Sequence, residues 1–337
     1  MATIDIFNDD AFSLVELTAA IERVPYKPQL LGQLGIFTPR PITTTSFAVE
    51  DRDGKLNVIQ TTPRGAPPVQ ASHGVRRVRN FGTVRLAKGD RLNASEIQNL
   101  RAFGRESEFE TVQAETMRRL IKLRDDLDLT LERHRLGALL GVVLDANGDQ
   151  LYDWFAEWGI SQPAEINFEL GTNTTDVRKK IRDVKRSMAK ASEGAWTPST
   201  RVAALVGDDF YDALLNHKQI KETKLATDRA PLLENIDGYS STELEGVTFI
   251  NYRGTDDGTA LAIGTDEAKF FPIGAPGVFE HVMGPGETFD TVNTPGRPFY
   301  PMTIPDEKRN AYVDLEIYSY PAMVCTRPKM LLRAIRA

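Results

Sequence analysis

EFETVQAETMRRLIKLRDDLDLTLERHRLGALLGVVLDANGDQ, residues Glu108 to Gln150, predicts one long helix followed by a turn. The stretch from Phe109 to Leu140 contains no proline and a single glycine, Gly137. At about 1.5 Å per residue this helix is about 48 Å long, more than the width of a small domain. The sequence therefore predicts a beam-like helix over about residues 107–141.

Apolar residues recur along this helix at helical spacing, and charged residues occupy its other sides. Arg124 and His134 interrupt the apolar stripe, which argues against the sustained heptads of a coiled coil. A single buried stripe favours a helix that lies across a sheet over a central core helix. The stripe consists of Phe109, Val112, Met117, Leu120, Ile121, Leu127, Leu131, Ala138 and Leu139.

Length and composition indicate a globular protein of two or three modules, with 337 residues, 41% of them hydrophobic and 26% charged. No apolar run approaches the roughly 18 residues that span a bilayer, and the first ten residues lack the features of a signal peptide. These features predict a cytoplasmic location. Cys325 is the only cysteine, which excludes an internal disulfide and a cysteine-based zinc site.

Charge is distributed unevenly along the chain. The segment Arg64 to Arg91 carries about +6, whereas the whole chain carries −6. A basic segment of this kind is typical of a nucleic-acid patch, or of an arm that docks on an acidic surface of another copy. Phe81 is the sole aromatic residue within it, which favours the arm. Its basic residues are Arg64, Arg76, Arg77, Arg79, Arg85, Lys88 and Arg91.

Residues Pro25 to Pro41 form a proline-punctuated extended segment, called the strap below, after a short helix predicted near Ser13 to Ile21. Its prolines disfavour a helix or a central strand. Its apolar residues are too numerous to stay in water, so the strap needs a partner surface in its own chain or in a neighbour. They are Leu30, Leu31, Leu34, Ile36 and Phe37.

A long two-stranded arm is predicted after the strap. Phe47 and Val49 alternate with polar residues, and Asp53-Gly54 is a hairpin turn signal. Leu56, Val58 and Ile59 are the predicted partner strand, and alternation resumes over Val75 to Leu86. Such a ribbon is at best marginally stable alone, so it is expected to lean on something outside its own domain.

The rest of the chain predicts a mixture of helices and strands. Leu151 to Ile160 is predicted to pair as a strand with Ile166 to Leu170, and Thr175 to Ala191 is an amphipathic helix with a basic outer face. An alternating α/β module starts at Trp196. The final long strand, from Tyr312 to Tyr318, alternates apolar and polar residues and is predicted to pack beneath the long helix.

Catalytic and metal-binding patterns are absent from the sequence. It holds no phosphate-binding loop and no nucleophile elbow, and its four histidines lack ligand spacing. The acidic stretch from Asp145 lacks the glycine and the glutamate that a calcium loop needs. Asp208 and Asp209 follow a strand and are explained by the start of a helix. No catalytic residue, cofactor-binding residue, metal ligand or cofactor is therefore predicted.

The order of these packing segments resembles the tailed-phage major capsid proteins, specifically the lambda-like major capsid protein E family with the HK97-like fold. The residues that carry the resemblance are VPYKPQLLGQLGIF, PITTT, IQTTPRGAPP, RRVRNF, QLYDWFAEWGI, EGVTFINYRG, GRPFYPM and RNAYVDLEIYSYPAMVCTRPKMLL. The resemblance implies an α+β fold with an N-arm (1–41), an extended β-hairpin E-loop (42–92), a P-domain with a long spine helix (93–195), an α/β A-domain (196–294) and P-domain return strands (295–337).

The resemblance also implies partners and a location. Family members form shells of pentamers and hexamers around double-stranded DNA, assemble first as a procapsid with scaffolding protein and portal, and sometimes carry a decoration protein. The virion is the expected location, after assembly in the bacterial host cytoplasm. Alternatives are a nucleic-acid-binding protein using the basic segment, an enzyme with an unfamiliar site in the Gly/Pro-rich segment 274–286, and a cellular nanocompartment shell protein.

Strap and arm supply the candidate inter-subunit contacts. They are Leu30, Leu31, Leu34, Ile36, Phe37, Phe47, Val49, Leu56, Val58, Arg64, Arg76, Arg77, Arg79 and Arg85.

Overall fold

The computed structural model describes residues 30–52, 76–99, 108–226, 234–236, 239–252 and 263–337. Within these ranges, none of the helices is long and apolar enough to cross a membrane. The helices are α1 (Leu30–Gln33), α2 (Ala94–Asn99), α3 (Glu108–Leu140), α4 (Trp154–Trp158), α5 (Val177–Ala191), α6 (Asp208–Asn216) and α7 (Lys218–Ala226).

The strands follow the chain as β1 (Thr38–Pro41), β2 (Ser46–Arg52), β3 (Arg76–Gly82), β4 (Leu86–Asn93), β5 (Val142–Leu144), β6 (Gln150–Asp153), β7 (Ile166–Asn167), β8 (Arg201–Val206), β9 (Glu234–Ile236), β10 (Tyr239–Leu244), β11 (Val247–Asn251), β12 (Glu267–Ile273), β13 (Phe279–Met283), β14 (Tyr300–Pro305), β15 (Tyr312–Ser319), β16 (Pro321–Cys325) and β17 (Leu332–Ile335).

The long helix α3 has 33 residues and lies within the predicted range of about 107–141. Its middle lies on the three-stranded sheet β14-β15-β4. The predicted packing beneath the helix is confirmed, because every second residue of β15 faces it. The buried contact joins Leu120, Leu123 and Leu127 of α3 to Val313, Leu315 and Ile317 of β15.

The prediction of a single buried stripe is wrong for the last ten residues of α3. These residues are buried on most sides, His134 and Glu132 included, because α1, β5 and β16 all pack around them. Gly137 permits this packing: a Cβ there would lie 2.8 Å from the carbonyl oxygen of Val142 and from the Cα of Val143. The last ten residues of α3 therefore behave as a core helix.

A seven-stranded sheet has the order β7-β17-β12-β8-β11-β10-β9. Strand β8 runs parallel to β11 and antiparallel to β12. Helices α5 and α6 pack on one of its faces, and the other face joins the core that contains the end of α3. Because β7 and β17 lie outside residues 196–294, this sheet extends beyond the predicted A-domain.

The arm is an antiparallel ribbon of β2 and β3, with Phe47 opposite Phe81. Strand β2 thus pairs with residues 76–82, which the renewed alternation predicts as strand. The sequence places the partner at Leu56, Val58 and Ile59, which lie outside the described residues. The base of the arm continues through β4 into the sheet under α3.

Residues Leu151 to Ile160 do not form the predicted strand. They contain the end of β6 and helix α4, because the Asp153 carboxylate accepts hydrogen bonds from the amides of Phe155 and Ala156 and so caps a helix. Gly159 ends this helix with φ of 63°. Residues Ile166–Asn167 pair with β17 instead.

Candidate assembly surfaces

The described part of the strap, residues 30–41, docks on the spine helix α3 of its own chain. Leu30 and Leu31 are each 1% exposed. The buried carboxylate of Glu132 accepts hydrogen bonds from the amide of Leu31 at 2.7 Å and from that of Gly32 at 3.2 Å, and Arg135 donates to the same carboxylate at 3.2 Å. One side chain of α3 therefore holds the N-terminal amides of α1.

The other apolar contact candidates among the described residues also find partners within the chain. Ile36, Phe47 and Val49 are buried in the main core. Leu34 and Phe37 are partly buried against it, and Phe37 lies 5.3 Å from Phe279 between ring centroids. These side chains are buried or partly buried without a neighbouring subunit, and their inter-subunit role stays a prediction.

Helix α4 supports the base of the arm. The Phe81 ring meets Trp154 edge-on at 5.4 Å, and the Tyr152 hydroxyl donates to the Gly82 carbonyl at 2.6 Å. The guanidinium of Arg79 lies 5.5 Å from the ring of Trp158. The arm therefore packs on aromatic residues of β6 and α4 in its own chain.

Acidic residues of the same chain pair with the later part of the basic segment. These pairs are Arg79 with Glu157 at 4.0 Å, Arg85 with Glu287 at 3.0 Å, Lys88 with Asp126 at 2.5 Å and Arg91 with Asp314 at 2.7 Å. Arg76 and Arg77 are placed in β3 by their backbone, and Leu56, Val58 and Arg64 lie outside the described residues. Much of the segment's charge is therefore neutralised inside the subunit.

A cluster of ion pairs joins α3 to the base of the arm. This cluster was not predicted from the sequence. Arg119 donates to the carboxylates of Glu115 at 2.8 Å and Asp90 at 3.4 Å, to the Arg91 carbonyl at 2.7 Å, and to Glu96. Hydrogen bonds from Arg118 and Arg119 lower the pKa of Glu115 to about 2. The i,i+3 and i,i+4 spacing of these side chains signals the helical part of the cluster, but its partners in β4 and α2 are set by the fold.

Several titratable groups in the described ranges are also buried, and they are not arranged for catalysis. Burial lowers the pKa of His134 to about 4 and that of His281 to about 3, so both imidazoles are neutral. Burial raises the pKa of Asp128 to about 6, although Arg124 opposes the shift. In the described ranges, no group of three or more His, Cys, Asp and Glu side chains is placed to hold a metal ion.

The subunit combines a long helix across a three-stranded sheet, a seven-stranded sheet with helices on one face, and a ribbon arm. This is the α+β architecture of HK97-like viral shell subunits. The solved structures agree. The putative capsid protein of a prophage of E. coli CFT073 has a TM-score of 0.57 at 14% identity, covering 96% of this chain and 99% of that chain. The capsid of the cyanophage P-SCSP1u has a TM-score of 0.55 at 9% identity, covering 93% and 90%.

Residues 13–336 match the family described as phage major capsid protein E, and the chain belongs to that family. The major capsid protein of Salmonella phage Felix O1 is 25% identical over 95% of both chains. That of Pseudomonas phage KPP10 is 28% identical over 90% of this chain and 89% of its own. The family is structural and not enzymatic. A shell protein of a tailed phage is thus the supported function, and the nucleic-acid-binding, enzymatic and nanocompartment alternatives are not favoured.

Proposed function

We propose that this chain self-assembles as pentamers and hexamers into an icosahedral shell that encloses packaged double-stranded DNA without sequence-specific binding. The observation that carries the proposal is the family match over residues 13–336, together with a subunit whose strap and arm base are already folded onto its spine helix. Identical copies repeat one heterologous contact around rings, and closure of these rings into a shell prevents open polymerisation.

The proposed division of labour follows the segments of the chain. Residues 1–41 act as N-arm, 42–92 as E-loop, 93–195 with 295–337 as P-domain, and 196–294 as A-domain. A scaffolding protein that acts in trans is a proposed partner. Portal and decoration proteins are further proposed partners. Assembly takes place in the bacterial host cytoplasm, without a membrane.

The inter-subunit contacts are proposed to come from the strap and the arm. In the strap, Leu34 and Phe37 are partly exposed. In the arm, Leu56, Val58 and Arg64 lie between the two strands in sequence, and Arg76 and Arg77 flank them. Since the pairs of Arg79 and Arg85 lie within one chain, the neighbour's acidic surface is proposed to meet mainly Arg64, Arg76 and Arg77.

Assembly is tested by expressing the chain alone and with a candidate scaffold gene, then measuring particle size by sedimentation and negative-stain microscopy. Closed shells tens of nanometres across are expected. A monomer or dimer under both conditions would contradict the proposal.

Charge reversal then distinguishes the shell from the nucleic-acid alternative. The double variant Arg76→Glu/Arg77→Glu is expected to block shell formation, whereas Lys218→Glu/Lys221→Glu on the exposed face of α7 changes the net charge equally and is the matched control. If the first variant forms normal shells but loses affinity for duplex DNA, nucleic-acid binding is the better explanation of the basic segment.

A further inference from the structure

The loop between β13 and β14 presents apolar side chains to solvent. Phe289 is 98% exposed and Val292 is 56% exposed; these two residues are called the apolar tip below. Single exposed apolar residues are common on protein surfaces, but an aromatic side chain with nearly its whole surface in water, beside a second apolar residue, is typical of an interaction site.

Hydrogen bonds hold this loop in one conformation. The Thr291 hydroxyl donates to the Thr288 carbonyl at 2.9 Å, and the Thr294 hydroxyl donates to the Thr291 carbonyl at 2.8 Å. The buried Tyr300 hydroxyl accepts from the Arg297 amide and donates to the Gly284 carbonyl. Because this framework is formed before any contact is made, ordering the apolar tip on binding costs little conformational entropy.

An acidic, aromatic groove adjoins the loop. Glu287 and Asp290 lie at one side of it, and residues of β14 and β15 line the other, on the face of the sheet opposite α3. Those strand residues include Tyr300, Met302, Ile304, Glu316 and Tyr318. Ile304 is itself 41% exposed, so the groove also offers an apolar side chain to a partner.

Arg85 shows which chemistry this groove accepts. Its guanidinium pairs with Glu287 at 3.0 Å and lies 5.0 Å from the ring centroid of Tyr318. Both contacts favour a cation. A partner for the groove should therefore be basic and should also offer an apolar surface. Pro301 and Pro305 lack amide donors, so side-chain docking is favoured over addition of a strand to β14.

We propose that the apolar tip and the adjoining acidic groove form a docking surface for a second copy of this chain. Charge complementarity supports this occupant, because the chain carries basic surfaces of its own. Helix α5 alone contains seven Lys and Arg residues and one Asp, and Lys179 and Lys190 on it are exposed. The inference rests on the proposed shell, which surrounds each subunit with identical copies and thereby supplies the second chain.

Site-specific crosslinking tests which molecule contacts the tip. Cys325 is the single cysteine and is fully buried, so Phe289→Cys introduces one accessible thiol for a maleimide-benzophenone label. In assembled particles, irradiation should give a covalent dimer whose crosslinked peptide comes from a second copy. Leu144→Cys, labelled in the same way on the β5–β6 hairpin, controls for crowding within the particle. Crosslinks confined to the same chain, or directed to a co-assembled scaffold or decoration protein, overturn the proposal.

Assembly of a truncated tip gives an independent measurement. Phe289→Ser should raise the subunit concentration needed for shell formation about tenfold or more, since aromatic anchors dominate interface energies, while the unassembled subunit keeps its urea midpoint. Leu144→Ser, at a side chain 37% exposed, should leave that concentration unchanged. Equal assembly by Phe289→Ser and wild type refutes the docking surface and leaves the shell intact. Failure of the wild type to assemble refutes both the shell and this contact.

Discussion

Replacing Glu132 is expected to weaken the attachment of the strap to the spine helix. Its carboxylate, 2% exposed, accepts two backbone hydrogen bonds from α1 and one from Arg135. Hydrogen bonds to a charged group contribute about 1.5–3 kcal/mol each, and removal of one member of a buried ion pair costs about 3–5 kcal/mol. Burial raises the pKa of Glu132, so desolvation offsets part of this gain. Glu132→Ala should therefore lower the free energy of unfolding by about 3 kcal/mol.

Glu132→Gln is the graded comparison, because its amide oxygen can still accept one backbone bond. We expect a loss of about 1–2 kcal/mol for this variant. Urea unfolding of the unassembled subunit measures both values, and limited proteolysis of the strap reports its detachment. Lys122→Ala, at an exposed position of the same helix, should stay within about 0.5 kcal/mol of wild type. A Glu132→Ala subunit as stable as this control, with an equally protected strap, would refute the reasoning.

Three further predictions concern the same packing. Gly137→Ala should destabilise the subunit by about 1–3 kcal/mol, because its Cβ would meet the backbone of β5, even though alanine favours a helix by about 1 kcal/mol; a gain in urea midpoint would contradict this. His134 and His281 stay neutral when folded, with pKa values of about 4 and about 3, but become protonated below about pH 6.5 when unfolded. The two neutral histidines therefore contribute fully to the free energy of unfolding above that pH, and the contribution falls by about 1.4 kcal/mol per histidine for each pH unit below it. Asp128, whose pKa is raised to about 6, offsets part of this loss. Equal urea stabilities at pH 7.5 and 5.5 would count against the prediction. Arg119→Ala should cost about 1–3 kcal/mol, and Arg119→Lys should recover little, because lysine lacks the planar fork; full recovery in thermal melts would exclude the multiple hydrogen bonds as the cause.

Local sequence patterns predict much of the fold. The uninterrupted run from Phe109 to Leu140 predicts α3, and alternation over Tyr312 to Tyr318 predicts both β15 and the face that packs under the helix. These two elements obey periods of 3.6 and 2 residues over a long enough stretch to be unambiguous. The family resemblance rests on the order of such segments, and therefore extends to the fold but not to individual contacts.

Long-range contacts could not be predicted in the same way. Glu132 is separated by about one hundred residues from the amides that it binds, and no local spacing marks that pairing. The strand predicted at Leu151 to Ile160 failed for a different reason, since one cap at Asp153 outweighs the β-propensity of the aromatic residues that follow. The burial of His134 and the close packing at Gly137 likewise depend on which elements surround the C-terminal end of α3.

The charge pairs within the subunit bear on how a shell of this kind assembles. Arg85, Lys88 and Arg91 are each paired with an acidic residue of their own chain, and such exposed pairs contribute little to stability. Their main effect is to reduce the positive surface that a neighbouring copy can meet. The inter-subunit attraction that we propose for the arm then rests mainly on Arg64, Arg76 and Arg77. Under that proposal, attraction confined to a few positions favours one register of the arm over the many that a uniformly basic ribbon would allow, and a closed shell requires that register to be the same in every subunit.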